Sequence, residues 1–280
     1  MDVRAYLAER AVLVDRHLEA LVPPPDAEPA ALHGAMRHLL FPGGKRVRPA
    51  LAFAACEAAG SPPERALPLA AALELVHTYS LVHDDLPCMD DDAERRGRPT
   101  VHVVYGEALA VLAGDALLAL AFEALARGGD GPEAGARLAA LAELASAAGS
   151  LALVGGQAAD LAFAPGAGDA AAIEGVHERK TAALFAAATA GGARLGGAPP
   201  ALVQRLRRFG LRVGVAFQIA DDLLDRGRGE ACSLVAALGA EQARGRAERH
   251  LARALAEIEE LAERAEPLRE LARFAVLRET

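Results

Sequence analysis

Residues 106–126 read GEALAVLAGDALLALAFEALA, and runs of this kind, dominated by Ala and Leu and closed by Gly or Pro, recur along the chain. No other feature constrains the fold as much. Ala gives up no side-chain entropy in a helix and Leu very little, so both favour it strongly. Strands need β-branched and aromatic residues alternating with period two, and such stretches are scarce here. Trp is absent and aromatic residues make up 4% of the chain, so the core must be aliphatic. The expectation is an all-α fold. With 280 residues, 52% of them hydrophobic, the chain can bury a sizeable core.

Breakers divide it. VPPPDAEP (22–29), FPGGKRVRP (41–49) and GSPPE (60–64) separate the first helices, and Pro87 stops the one running through LPLAAALELVHTYSLVHDD. Further helices are expected over 106–126, about 133–163, 171–197 and 201–225, and through the charged last 45 residues. No linker, composition shift or short-period repeat appears, so one domain is expected over 1–280.

A net charge of −8 argues against nucleic acid, which needs a basic footprint. The three cysteines, Cys56, Cys88 and Cys232, lack metal-ligand spacing and read as reduced thiols of a cytoplasmic protein. The first 22 residues carry a charge every few positions, which suits an amphipathic helix and not a signal peptide. No run of eighteen uncharged apolar residues occurs, so no membrane span is expected.

Two acidic clusters interrupt this apolar chain. In LVHDDLPCMDDDAERRGRPTVH (81–102), Asp84 and Asp85 end a helix, where the backbone dipole is already negative. Extra carboxylates there are unfavourable without a cation. Pro87 puts Asp90, Asp91 and Asp92 on a loop that can fold back. His77, two turns before Asp84, falls within roughly 20° of the same helix face. In FQIADDLLD, Gln218, Asp221, Asp222 and Asp225 share one stripe of an otherwise apolar helix. Half-buried acids repel one another unless paired or bound to metal. Carboxylates with few other donors suit Mg²⁺, which takes one or two per ion and completes its octahedron with water and phosphate oxygens. The cations match: Lys45, Arg46 and Arg48 on a Gly-rich turn, Arg95, Arg96 and Arg98 after the first cluster, and Lys180, the only other lysine.

GGKRVRP, LVHTYSLVHDDLPCMDDDAERRGRPTVH, YGEALAVLAGDALL, GGQAADL, RKTAALF and FQIADDLLD follow one another in that order. Together, over residues 30–230, they resemble the trans-isoprenyl diphosphate synthases (polyprenyl synthetases), most of all the bacterial farnesyl and geranylgeranyl branch. The resemblance implies an antiparallel helical bundle of the isoprenoid synthase type around a deep central cavity, and a homodimer. It makes Asp84, Asp85 and Asp90 the first metal motif and Asp221, Asp222 and Asp225 the second, together binding three Mg²⁺, with Mn²⁺ as a possible substitute. Arg95, Lys180, Thr181 and Gln218 would contact the allylic diphosphate. Lys45, Arg48, His77 and Arg96 would hold the diphosphate of isopentenyl diphosphate. The implied reaction is a Mg²⁺-dependent 1'-4 head-to-tail elongation, with Asp84, Asp85, Asp221, Asp222 and Lys180 as its catalytic residues.

In such proteins the residues just before the first motif set product length. Here they are Tyr79 and Ser80, and a bulky Tyr79 resembles the floor of farnesyl synthases, which points to a C15 product, with C20 as the alternative. Yet on an ideal helix Tyr79 points about 140° away from Asp84. The chain also departs from the family: DRGRGEACSLVAALGAEQAR leads almost directly into the last helices, without the usual lysine-bearing loop. That shortening over 226–233 raises the alternative of a catalytically weak or regulatory homologue. A terpene cyclase would share the first motif but carry an Asn/Asp, Ser/Thr, Glu triad in place of the second.

Overall fold

Helix starts follow local chemistry from the first turn onward. In the computed structural model, which describes residues 1–127, 131, 133–163, 169–224 and 232–277, the Asp2 carboxylate accepts from the amides of Arg4 and Ala5 at 2.9 and 3.2 Å. It thereby caps α1 (Val3–Leu21). After the first breaker come α2 (Ala30–Leu40), α3 (Val47–Ala58) and α4 (Leu67–Asp84). A small hairpin, β1 (Glu94–Arg95) and β2 (Arg98–Pro99), leads into α5 (Val101–Tyr105) and α6 (Glu107–Ala126). Then follow α7 (Ala134–Ala148), α8 (Leu153–Leu161), α9 (Ala170–His177), α10 (Ala183–Leu195) and α11 (Pro200–Leu224). The chain closes with α12 (Leu234–Leu238), α13 (Ala240–Glu257) and α14 (Glu266–Val276). The all-α expectation holds.

Two helices are interior. Every residue of α4 from Leu69 to Val76 is buried, and so is every residue of α10 from Leu184 to Ala193. A helix that is apolar all round belongs inside. α10 packs against α3, α4, α7 and α11, while α6 lies along α4 and α13 along α11. Small residues set the spacing. A Cβ on Gly192 would stand 2.2 Å from the carbonyl oxygen of Ala52 in α3, and one on Gly214 would stand 2.4 Å from Cα of Ala182. Glycine is therefore what lets α10 approach α3, and α11 approach the start of α10. The filling is aliphatic, as expected, with Phe53, Phe185 and Phe209 the largest fully buried side chains. Each fully buried side chain of this size contributes roughly 1.5–3 kcal/mol.

Three segments differ from the sequence expectation. The helix expected over 133–163 breaks between Gly149 and Ala152 into α7 and α8. The one over 171–197 contains a π turn, Glu178–Ala182, between α9 and α10. The hairpin and α5 follow from no strong sequence signal. On the membrane question, α6 and the stretch Ala134–Leu161 are long and apolar enough to cross a bilayer by length and composition. The charges of Glu107, Asp115 and Glu123 interrupt α6, and its inner face packs on α4.

Candidate active site

The last two turns of α4 carry His77, Ser80, Leu81 and Asp84 into a cavity of about 870 Å³. Spacings of three and four residues on a helix make these side chains neighbours on one face. Beyond Asp84 the chain turns back on itself. The amide of Asp90 donates to the carbonyl of Asp84 at 2.9 Å, and those of Met89 and Asp91 donate to that of Leu86 at 2.9 and 3.1 Å. The fold-back brings Asp90 and Asp92 to the cavity, whereas Asp91 sits at φ 54° and is exposed. Next comes the hairpin. Its two-residue turn, Arg96 and Gly97, has positive φ at both positions, 57° and 74°, which suits the twist of a tight hairpin. Arg98 anchors it to the end of α2 by donating to the carbonyls of His38 and Phe41 at 3.1 and 3.0 Å. Arg95 and Arg96 thus face the same cavity.

A second wall comes from α11, which presents Phe217, Gln218 and Asp221. The π turn presents Lys180 and Thr181, and Thr181 donates to Gln218 Oε1 at 2.7 Å. A π turn inserts one extra residue per turn and re-aims its side chains. Arg48 comes from α3, with its guanidinium 5.0 Å above the ring of buried Phe185. Leu81, Leu153, Leu184 and Phe217 supply apolar wall. A smaller cavity of about 610 Å³ adjoins it, sharing Asp90, Asp92, Lys180, Thr181 and Gln218.

The acids do not all do the same thing. Asp84, Asp90 and Asp221 line the cavity, and Asp85 and Asp222 do not. Consecutive helical residues point about 100° apart, so the second acid of each pair turns elsewhere. Asp85 is fully buried; one oxygen accepts from Arg95 Nε at 2.5 Å and the other has no hydrogen-bond partner among the described residues. Asp222 accepts from the Leu234 amide at 2.9 Å, lies 3.7 Å from His177 Nε2, and so ties α11 to α12. Asp225, expected beside it, and most of the shortened segment 226–233 lie outside the described residues.

Two further expectations shift. Lys45 is exposed and is not in the lining; its ammonium lies 5.8 Å from the Phe274 ring centroid on α14. Tyr79 is 5% exposed, packs edge-on against His83 at 5.7 Å, and is also outside the lining, where its neighbour Ser80 stands instead. The helical angle had already pointed Tyr79 away.

Burial, more than any neighbour, shapes the electrostatics of the cavity. Burial pushes the Asp84 carboxyl up to about 7, against Lys180 and with help from Asp90. Burial likewise raises Asp85 and Asp90, and raises Asp222 to about 6 against the Leu234 amide. Opposite them, burial pulls Arg48 down to about 10 and holds His77 well below its ordinary value, with Arg48 and Arg96 adding repulsion. Lys180 is raised despite burial, because Asp160 accepts from its ammonium at 2.5 Å. Cations crowd one part of the cavity and carboxyls another. Among the described residues, no three of His, Cys, Asp and Glu come close enough to enclose an ion alone.

Gln157 and Asp160 were not singled out from the sequence. Gln157 lines the cavity at 8% exposure, and neither polar atom of its amide has a partner among the described residues. The signal was there in GGQAADL, where Gln157 and Asp160 are three apart and so share a helix face.

Comparison with known proteins gives this arrangement a family. The family model described as polyprenyl synthetase matches residues 29–232. A chloroplastic geranylgeranyl pyrophosphate synthase of Capsicum annuum is 46% identical over 226 residues, covering 80% of this chain and 60% of that protein. A chloroplastic geranylfarnesyl diphosphate synthase of Leucosceptrum canum is 45% identical over 228 residues, covering 80% and 62%. The matched part of the chain therefore spans under two thirds of the length of these curated relatives. A solved FPP/GFPP synthase from Zymomonas mobilis superposes with a TM-score of 0.91 at 39% identity, covering 98% of this chain and 99% of that one. The chain belongs to the polyprenyl synthetase family.

Proposed function

We propose that this protein is a short-chain trans-prenyl diphosphate synthase, condensing isopentenyl diphosphate with an allylic diphosphate in a 1'-4 head-to-tail elongation. One observation carries the proposal: a single cavity is faced by Asp84, Asp90 and Asp221, by Arg48, His77 and Arg96, and by Lys180, Thr181 and Gln218. At about 870 Å³ it is at the upper end of the roughly 300–1,000 Å³ of small-molecule sites.

Magnesium fits the donor set. Oxygen is the only donor the acids offer, burial makes their charge costly without a cation, and Mg²⁺ needs only one or two carboxylates per ion. Asp84, Asp90 and Asp221 would hold it, with Mn²⁺ as a substitute and Asp85, braced by Arg95, behind them. Bound metal would neutralise diphosphate charge and so favour its departure. The chain's own groups do the rest. Lys180, Thr181, Gln218 and Arg95 orient the allylic diphosphate, while Arg48, Arg96 and neutral His77 seat that of isopentenyl diphosphate. The allylic C–O bond breaks with its electron pair going to diphosphate. The double bond of isopentenyl diphosphate attacks the allylic cation, and a proton leaves to the departing diphosphate. Leu81, Leu153, Leu184 and Phe217 keep water from the cation.

For product length we favour C20 over C15. Tyr79, the basis of the farnesyl expectation, lies off the cavity and small Ser80 lies in it. The names of the two curated relatives, geranylgeranyl and geranylfarnesyl, support chains longer than C15. We also propose a homodimer, formed through the exposed apolar face of α6. The deciding experiment incubates the full chain with Mg²⁺, isopentenyl diphosphate and dimethylallyl or geranyl diphosphate, then sizes the dephosphorylated products. A C20 alcohol that disappears with EDTA is expected, shortening to C15 in Ser80→Phe and unchanged in Tyr79→Ala. A C15 product from the unaltered chain would return Tyr79 to the floor, and no product would favour the regulatory alternative.

A further inference from the structure

We infer that Arg46 is a positioning residue for the diphosphate of isopentenyl diphosphate, which it serves without touching it. The inference rests on the proposed function. Arg46 stands between Lys45 and Arg48 in the basic turn, yet it is 3% exposed and absent from the cavity lining. Its guanidinium is fully engaged elsewhere. Nε donates to Asp15 Oδ1 on α1 at 2.8 Å, Nη2 donates to the Leu40 carbonyl at the end of α2 at 2.8 Å, and Nη1 donates to Glu74 on α4. One side chain at the entry to α3 thus ties together three other helices. Glu74 lies three residues before His77, so the same contact references the turn to the helix face that carries His77 and Asp84.

The backbone agrees with the side chain. Arg46 has φ 50°, a left-handed conformation that non-glycine residues seldom adopt and that its contacts must hold in place. Its carbonyl accepts from the Ala50 amide at 3.0 Å, so this strained residue also starts α3, whose first turn bears Arg48. The preceding glycines are shaped by the same requirement. A Cβ on Gly43 would stand 1.9 Å from the guanidinium carbon of Arg46, and one on Gly44 would stand 2.7 Å from Nη2 of Arg96. The turn therefore seats Arg46 on one side and Arg96 on the other. Of the six cations in the motif and hairpin, Arg48, Arg95 and Arg96 line this cavity, and Arg46 fixes the frame between Arg48 and Arg96. The three partners are met by three different nitrogens of one rigid planar fork, whereas an ammonium carries all its donors on a single atom and cannot span the same positions.

The test separates positioning from plain structural support by a split in KM. Arg46→Lys and Gly43→Ala are expected to raise KM for isopentenyl diphosphate about tenfold, the equivalent of one charge-assisted hydrogen bond. KM for the allylic diphosphate, and kcat at saturation, should stay within about twofold. Asp15→Asn, which removes a half-exposed partner and spares the buried pair, should move the same constant in the same direction. Arg10→Lys is the control, since it disrupts another α1–α3 ion pair, Arg10 to Glu57 at 2.5 Å. It should lower Tm and leave both KM values alone. Both KM values rising together, or Tm falling with neither KM changed in Arg46→Lys and Asp15→Asn, would show that Arg46 only supports the fold. An unaltered chain that fails to elongate, or one in which Arg48→Gln leaves KM for isopentenyl diphosphate unchanged, would overturn the proposed function itself and this inference with it.

Discussion

Asp84 is an acid whose folded environment works against its charge. Its carboxyl titrates near 7 in the fold, against 3.8 for the free group, chiefly because it is buried. Below 3.8 it is protonated in both states and costs the fold nothing. Between the two values the folded state binds more protons than the unfolded one, so stability falls as pH rises through that window and stays lower above 7. In EDTA, Asp84→Asn should therefore melt a few degrees above the unaltered chain at pH 8, with the gap closing towards pH 4. Adding Mg²⁺ with inorganic diphosphate should raise Tm of the unaltered chain and leave Asp84→Asn in place. Equal melting differences at both pH values would show that burial is not what perturbs this acid. At this scale much was legible. Spacing alone put His77 and Asp84 on one face and turned Tyr79 away. The same arithmetic separates Asp85 from Asp84 and Asp222 from Asp221, although the paired motifs suggest that neighbours act alike. Lys45 was not legible, because where it points depends on the left-handed turn at Arg46 and on α14, far off in sequence.

The contact between α8 and the π turn decides where Lys180 and Thr181 point. Gly156 faces that turn so closely that a Cβ would stand 2.3 Å from the Lys180 amide nitrogen. Backbone cannot swing aside as a side-chain tip can. Gly156→Ala should thus push α8 away from the π turn, lowering Tm by about 5 °C and kcat by about tenfold through displaced Lys180 and Thr181. Ala158→Val, on the exposed side of the same helix, should do neither. Normal kcat in Gly156→Ala would mean that α8 does not set the geometry of the turn. Neither the π turn nor the break before α8 could be read from the sequence. Both lie in Ala-rich stretches where one helical register fits as well as the next, so tertiary contact chooses. The hairpin escaped for a related reason. Its Arg96-Gly97 turn is well formed, but the flanking residues are charged and lack β-formers.

The whole molecule leaves α6 half covered. A helix apolar all round is normally buried all round. Yet α6 packs on α4 by one face and exposes Val111 and Leu112 on the other, at 41% and 52%, with Val103 and Val104 of α5 at 52% and 49% nearby in the chain. The sequence showed the apolar character and gave no hint of the uncovered side, because with apolar residues at nearly every position no periodicity marks a face. A second copy of α6, packed about a two-fold axis, would cover this surface with the same residues, and stable interfaces remove roughly 800 Å² from each partner. Assembly would also bear on the site. The His83 ring nitrogen is 3.0 Å from the Val111 carbonyl, so α6 is bonded to the residue next to Asp84. In light scattering the unaltered chain should have twice the mass of one chain, and its Tm should rise with protein concentration, as association coupled to folding requires. Leu112→Arg puts a long charged side chain in the middle of that apolar face. It should halve the mass, make Tm independent of concentration, and leave the monomer folded, since Leu112 contributes nothing to the core. An unaltered chain that is already monomeric, or a Leu112→Arg variant that stays dimeric, would remove α6 from the interface.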